Sequence, residues 1–158
     1  SVNGKIIING HEYLFTNDIG YLEGDYGTSF PNKYIWVQSN NLNNAAFFLS
    51  VATIPYGKIN FTGLISSLII DSKEYRFATY NFTKILINTN DHIQIKKGML
   101  ILDVFIKDSD RFVLSAPKNG DMTRKVYESM DATIEIILSN KRMVIYRETA
   151  KHASVEIG

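Results

Sequence analysis

Apolar and polar side chains alternate along most of this chain, and turn residues interrupt the alternation about every 8 to 12 residues. The first turn, Asn9-Gly10, favours a type I′ hairpin. That turn type requires positive φ at both central residues, and Asn and Gly adopt positive φ more readily than other residues do. Two nearly continuous apolar runs, residues 45–54 and 59–70, flank a Pro55-Tyr56-Gly57 turn that interrupts any helix. The pattern therefore predicts an all-β domain of about ten short strands.

Successive strands in this pattern are separated by short turns, which favours an antiparallel meander. Such a meander builds a barrel or a sandwich, and a closed barrel of about eight to ten strands has room for one small apolar ligand. A helical turn competes at residues 123–130, where Arg124 and Glu128 stand four apart. Because that segment has little apolar periodicity, we expect strands there and a barrel overall.

The chain carries an even mixture of charges. Its 158 residues include 17 Lys and Arg and 16 Asp and Glu, for a formal net charge of +1. This balance gives no sign of a nucleic-acid partner.

No apolar run approaches the roughly 18 residues of a membrane span, and the first residues do not resemble a signal peptide. We predict a cytoplasmic protein with no membrane span, and we expect the chain, which does not begin with Met, to be one domain of a longer protein.

Several classes of site are excluded or disfavoured by residue type. The chain has no cysteine, so disulfides, zinc thiolate sites and cysteine nucleophiles are excluded. His11, His92 and His152 lie far apart with no carboxylate at ligand spacing, and we predict no metal site. There is no phosphate-binding loop, dinucleotide fingerprint or nucleophile elbow, and we predict no cofactor.

Polar chemistry is densest between residues 23 and 40. Glu23 and Asp25 stand two apart, so their carboxylates would share one face of an extended segment, and mutual repulsion could raise the pKa of one of them and make it a proton donor. The alternative is an acidic turn bracketed by Gly24 and Gly27. Glu23 and Asp25 are our candidate catalytic acids.

The strand that follows places Tyr34, Trp36 and Gln38 on one face and Ile35 and Val37 on the other. Either face could be the inner one. An apolar wall with a few polar anchors is typical of a small-molecule pocket, although a single tryptophan is more often a core residue.

Two glutamates near the end of the chain are further candidates. Glu128 lies in a polar patch between two predicted strands, and Glu156 alternates with Val155 and Ile157. Either carboxylate could point into the barrel or into solvent.

An ordered series of motifs along nearly the whole chain resembles the tocopherol cyclase family. The motifs are Gly20-Tyr21-Leu22-Glu23-Gly24-Asp25-Tyr26-Gly27, Phe30-Pro31, Trp36-Val37-Gln38-Ser39-Asn40, Tyr75-Arg76-Phe77, Leu114-Ser115-Ala116-Pro117, Gly120-Asp121-Met122-Thr123-Arg124, Glu128-Ser129 and Val155-Glu156-Ile157-Gly158. The resemblance implies a lipocalin-like, calycin-type barrel that forms the second half of a two-domain protein.

Members of that family act on, or bind, prenylated and other lipophilic molecules, and some close a ring by protonating a prenyl double bond. The resemblance implies that Glu23 or Asp25 is the acid, with Tyr26 and Trp36 stabilising positive charge. The ligand-binding residues that it implies are Tyr26, Tyr34, Trp36, Gln38, Asn40, Glu128 and Glu156.

Three hypotheses follow from the sequence. The first is a bacterial binding domain that holds a lipophilic, isoprenoid-like molecule in a barrel cavity. The second is an acid-catalysed isoprenoid cyclase or hydratase. The third is a structural half-domain that docks on a missing first half or on a second copy of itself.

Overall fold

The structure is a computed structural model that describes residues 1–24 and 28–158. Two of the predicted site residues, Asp25 and Tyr26, lie outside the described residues. Within the described ranges the chain forms twelve strands and one 3-10 turn at Thr79–Asn81. The strands are β1 Val2–Ile8, β2 His11–Asp18, β3 Lys33–Leu42, β4 Ala45–Tyr56, β5 Ile59–Ile70, β6 Lys73–Ala78, β7 Lys84–Asn88, β8 His92–Lys97, β9 Leu100–Asp108, β10 Phe112–Lys118, β11 Asp121–Asn140 and β12 Met143–Ile157.

Strands β1 and β2 form a separate two-stranded hairpin. Asn9 and Gly10 both have positive φ, at 50° and 81°, so the predicted turn is confirmed. Almost every residue of the hairpin is exposed, including Ile7 and Leu14. The hairpin therefore contributes little to the core.

The other ten strands form one antiparallel sheet, in the order β6-β5-β4-β3-β12-β11-β9-β8-β7, with β10 paired to β11. The first part of β11 pairs with β10, and its last part pairs with β9. The end of β12 pairs with both β11 and β3. These long-range pairings place β3, from the first third of the sequence, beside β12, the last strand, in the middle of the sheet.

One face of this sheet carries the hydrophobic core. Ile35 and Val37 of β3 belong to the same buried cluster as Phe77 of β6 and Ile93 and Ile95 of β8. Because β6 and β8 lie near opposite ends of the strand order, the sheet must curl to bring their side chains together. The core side chains fill the inside of the curl.

The all-β, antiparallel fold is confirmed, but closure into a barrel is not. Strands β6 and β7 stand at the two ends of the sheet and do not pair with each other. At the end of β6, the backbone N–H of Ala78 donates to Oδ1 of Asn81 at 2.9 Å and to Oγ1 of Thr83 at 3.1 Å. These local hydrogen bonds occupy a donor that a neighbouring strand would need. The sheet stays open.

Strands β11 and β12 are longer than the short strands that the sequence predicts. Residues 123–130 lie in strand β11, as expected, and the competing helical turn does not form. Residues 143–157 form the single strand β12. The register of β12 shifts between Ala150 and Ala153, and His152 has a φ of 56° there, as expected for a β-bulge. No helix in residues 1–24 or 28–158 is long and apolar enough to cross a membrane.

Candidate functional site

A cleft of about 470 Å³ lies on the face of the sheet opposite the core. Side chains alternate across a strand, so Trp36 points away from the core that contains its neighbours Ile35 and Val37. The residues that line the cleft are Glu23, Gly24, Phe30, Pro31, Tyr34, Trp36, Phe48, Ser50, Ala52, Ile65, Glu128 and Glu156.

The floor of the cleft is one row of side chains that crosses five strands. Glu128 of β11 pairs with Glu156 of β12, and Glu156 pairs with Trp36 of β3. Trp36 pairs in turn with Ser50 of β4, and Ser50 with Ile65 of β5. Residues that pair across antiparallel strands project from the same face. The row therefore runs from two carboxylates through an indole to an apolar end.

Aromatic and aliphatic side chains flank this row. Tyr34 and Ala52 lie one pleat to one side, and Phe48 lies one pleat to the other. Tyr34 packs with Val126 and Phe30 in a second, smaller cluster, and the rings of Phe30 and Tyr34 meet edge to face at 5.8 Å. The walls of the cleft are therefore apolar on both sides of its polar residues.

The segment above the floor, which we call the roof, comprises residues 23–24 and 28–32. The turn between β10 and β11 fastens it from one side, because Gly120 N–H donates to the Thr28 carbonyl at 2.9 Å and Asn119 N–H donates to Oγ of Ser29 at 2.8 Å. Asn32 N–H donates to the Thr53 carbonyl of β4 at 2.9 Å. The roof is thus bonded to strands on both sides of the cleft.

Arg124 is the strongest tie between the roof and the sheet. Its guanidinium donates to the carbonyls of Phe30 at 3.4 Å, of Pro31, and of Asn32 at 3.0 Å. The guanidinium also lies over the ring of Tyr34, 5.5 Å from its centroid. Arg124 therefore holds three successive carbonyls and one wall of the cleft at once.

We expect Arg124→Met to lower the free energy of unfolding by about 1 to 3 kcal/mol, since hydrogen bonds from a charged donor are lost and the carbonyls keep no equivalent partner. Urea unfolding measures this change, and limited proteolysis reports loosening of the roof. The adjacent Lys125→Met is the matched control, because Lys125 is exposed and belongs to the other face of β11. Equal effects of the two substitutions would contradict the role given to Arg124.

Two carboxylates and a phenol meet at one end of the floor. The Tyr34 hydroxyl donates to Oε1 of Glu156. Burial, together with the hydrogen bond and negative charge of Glu156, raises the pKa of Tyr34 far above its ordinary value. Tyr34 therefore stays protonated and remains a donor. Gly158 packs against the Tyr34 ring so closely that the ring leaves no room for a Cβ at that position.

Glu128 has an unfavourable environment for its charge. Burial raises the pKa of Glu128, and the negative charge of Glu156, its cross-strand partner, raises it further. Glu128 is half-buried and lies beside the apolar walls. A carboxyl group in this position holds a proton more readily than an exposed glutamate does.

The raised pKa of Glu128 predicts a pH-dependent effect of Glu128→Gln. The folded-state pKa lies above the unfolded one, so the stability that Glu128 contributes is present at low pH and is lost as pH rises through the folded pKa. At pH 7 the variant should be more stable than the parent, and near pH 4 the difference should shrink. Among the described residues, Glu156 and Tyr34 interact electrostatically with Glu128, and Glu23 lines the same cleft.

Urea unfolding of both proteins at the two pH values measures this effect. Glu74→Gln is a control of opposite sign, because hydrogen bonds from Arg76 and Ser67 lower the pKa of Glu74. A Glu128→Gln variant less stable than the parent at pH 7 would contradict the assignment.

Glu23, one of the two predicted catalytic acids, lines the cleft from the roof. Its Oε2 accepts a hydrogen bond from the Tyr21 hydroxyl at 2.6 Å and from Nε1 of Trp36 at 2.9 Å. The rings of Tyr21 and Trp36 are 6.4 Å apart. Glu23 thus joins the roof to the floor, and its catalytic role stays a prediction.

The structure brings together Glu23, Tyr34, Trp36, Glu128 and Glu156 of the predicted site residues. The other two described candidates, Gln38 and Asn40, lie on the same face of β3 but do not line the cleft. Gln38 is buried opposite Phe48 and Ser154, and Asn40 is half-buried near the end of the strand.

Sequence reasoning missed several lining residues. Phe48, Ser50 and Ala52 stand two apart in β4, the strand that pairs with β3. Their alternation was visible in the sequence, and pairing residues 45–54 with the strand of Trp36 would have placed them beside it. Arg124 appeared in a motif, but no local pattern linked it to the roof.

Among the residues that the structure describes, no group of three His, Asp or Glu side chains could hold a metal ion.

Comparison with known protein families identifies a family for the chain. The model of a family described as tocopherol cyclase-like matches residues 1–158. Searches of curated proteins and of solved structures find no match to the chain.

Proposed function

This chain belongs to the tocopherol cyclase-like family, and from that premise we propose that it binds a lipophilic, isoprenoid-like small molecule in the cleft above Trp36. The observation that carries the proposal is the composition of the cleft. Aromatic and aliphatic walls surround a few convergent polar groups, which is typical of small-molecule sites. Its volume of about 470 Å³ is large enough for a ligand of drug size.

The cleft, and not the inside of a barrel, is the site we propose. Phe47, Leu49 and Leu68 belong to the core on the inner face of the curl. Their neighbours Phe48 and Ser50 line the cleft on the other face. Five of the residues singled out by the family resemblance also line the cleft, namely Glu23, Tyr34, Trp36, Glu128 and Glu156.

The arrangement of groups suggests how such a ligand would lie. An apolar chain would contact Phe48 and Ile65 at one end of the floor. A hydroxyl or quinol group would lie near Glu128 and Glu156 at the other end, where carboxylate oxygens accept hydrogen bonds. Trp36, between the two ends, would contact the ligand along its length.

Titration with farnesol, a prenyl alcohol, tests the proposal. Trp36 is the only tryptophan in the chain, so its fluorescence reports directly on the cleft. We expect a saturable change in emission and a matching heat in titration calorimetry, with a dissociation constant of about 1 to 100 μM. Absence of saturable binding to farnesol and to other prenyl lipids of similar length would contradict the proposal.

A second candidate, acid-catalysed cyclisation, is favoured by one observation, the raised pKa of Glu128 beside apolar walls. In such a reaction a carboxylic acid protonates a prenyl double bond, a phenolic oxygen attacks the resulting tertiary cation, and the phenolic proton returns to the carboxylate. The product is an isomer of the substrate. Glu23 and Asp25 remain the acids implied by the family resemblance, and Glu128 joins them as a candidate on physical grounds.

Incubation with a prenylated hydroquinone separates the candidates. If the chain is a cyclase, an isomeric chromanol should form, and Glu128→Gln should lower its rate at least 100-fold if Glu128 is the acid. Glu23→Gln and Asp25→Asn test the other two acids in the same assay. Binding without product formation would reject catalysis by this chain and leave the binding function intact.

The prediction of docking on a first half-domain or a second copy also stays open. Two apolar residues of the β1–β2 hairpin, Ile7 and Leu14, are exposed, and so is Leu22, which follows the hairpin. These exposed apolar side chains support that prediction. Cytoplasmic location and bacterial origin remain predictions from the sequence.

A further inference from the structure

We propose that the cleft selects a ligand that carries a positive charge, such as an ammonium group attached to an apolar chain. The inference rests on the proposed binding function and adds the charge of the ligand to it. It is carried by the charges of the lining side chains, by the aromatic rings between them and by the cross-strand pairing of two glutamates.

Among the residues that the structure describes, the charged side chains that line the cleft are all negative. Glu23, Glu128 and Glu156 contribute carboxylates, and none of the described lining residues is Lys, Arg or His. Arg124, which adjoins the cleft, donates to the roof carbonyls and lies over the ring of Tyr34. None of the three glutamates has an ion-pair partner among residues 1–24 and 28–158.

The pairing of Glu128 with Glu156 is unusual for a sheet. The two residues are direct cross-strand partners on adjacent strands, where like charges destabilise the pair. Elsewhere on this sheet, the carboxylate of Glu135 is held between Lys107 and Arg147 at 2.8 Å from each. Within the described part of the chain, no Lys or Arg forms an ion pair with Glu128 or Glu156, and a bound organic cation would supply the missing charge.

The aromatic lining suits the same class of ligand. Trp36 lies next to Glu156 in the floor row, and Phe48 lies one pleat away. The faces of aromatic rings attract cations, and indole does so most strongly. A carboxylate beside an indole therefore favours a poorly hydrated organic cation over both a neutral head group and an anion.

Three probes with one tail and different heads test this inference. Decyltrimethylammonium chloride, decyl maltoside and decyl sulfate share a ten-carbon chain, and each is titrated below its micelle concentration at low salt. Binding is followed by Trp36 fluorescence and by calorimetry. We expect the ammonium probe to bind at least about tenfold more tightly than the maltoside, with the sulfate weakest.

Substitutions assign the preference to the cleft. Glu156→Gln and Glu128→Gln should each bring the affinities for the ammonium and maltoside probes close together. Asp110→Asn is the matched control, since Asp110 is exposed and lies outside the cleft, and it should leave the preference unchanged. Circular dichroism establishes whether each variant is folded. If a variant does not fold, the preference measured for the unmodified chain still tests the inference.

The outcomes distinguish this inference from the proposed function. Equal affinity for the three heads, or tighter binding of the maltoside or the sulfate, would overturn the charge preference and leave lipophile binding in place. No binding of any probe, together with no binding of farnesol, would overturn both. An ammonium preference that survives both glutamate substitutions would also overturn the inference, because it would arise outside the cleft.

Discussion

Ser50→Phe is expected to lower the affinity of the chain for farnesol at least about 100-fold, because the new ring would occupy the centre of the cleft. Ser50 lies in the floor row between Trp36 and Ile65, and its side chain is half-buried. A phenyl ring in that position would compete directly with the ligand for space.

Ser50→Ala is the matched control for this substitution. It removes the hydroxyl without filling the cleft, so affinity should change by no more than about threefold. Titration calorimetry measures both variants against the parent. If Ser50→Phe bound farnesol as well as the parent does, the ligand would have to lie elsewhere, and the cleft would lose its proposed role.

Phe77→Ala is expected to lower the free energy of unfolding by about 3 to 5 kcal/mol, the usual cost of removing a buried phenyl ring. Phe77 has 0% of its surface exposed and belongs to the main core cluster, although its strand stands at one end of the sheet. The ring is buried because the curled sheet brings Ile93 and Ile95, near the other end, into the same cluster.

Phe82→Ala provides the comparison, since Phe82 follows the 3-10 turn and is 90% exposed. Its effect should stay within about 0.5 kcal/mol. Urea unfolding measures both variants. A Phe77→Ala cost below about 1 kcal/mol would contradict a core shared between the two ends of the sheet.

Local features of the fold were readable from the sequence because they depend on a few neighbouring residues. Asn9-Gly10 forms a turn with positive φ at both residues, as predicted from its residue types. The two-residue alternation placed Tyr34 and Trp36 on one face of β3, and the structure confirms that placement. These are properties of single strands and single turns.

Long-range features were not readable in the same way. The alternation left open which face of β3 is buried in the core, since both faces carry large apolar side chains. Nor does any local pattern specify that β12 pairs with β3, which is the pairing that brings Glu156 beside Trp36. Closure of the sheet into a barrel was predicted from the number of strands. Closure also depends on whether the free edge of β6 can pair with the strand at the other end of the sheet.

The candidate site was therefore only partly foreseen. The order of family-like motifs pointed to Glu128 and Glu156, which local reasoning alone could have placed in solvent. The sheet register joins them into one row with Trp36 and Ser50. Arg124 was not foreseen as a tie to the roof, because its partners are backbone carbonyls more than 90 residues earlier in the chain.

A nuclear magnetic resonance titration that follows the indole N–H signal of Trp36 tests most directly whether the ligand binds in the cleft. The chain has one tryptophan, so there is one such signal, and its N–H donates to Glu23 across the cleft. We expect farnesol to shift this signal in a saturable manner, with the dissociation constant found by calorimetry. Saturable binding by calorimetry with an unchanged indole signal would place the ligand outside the cleft and contradict the proposed site.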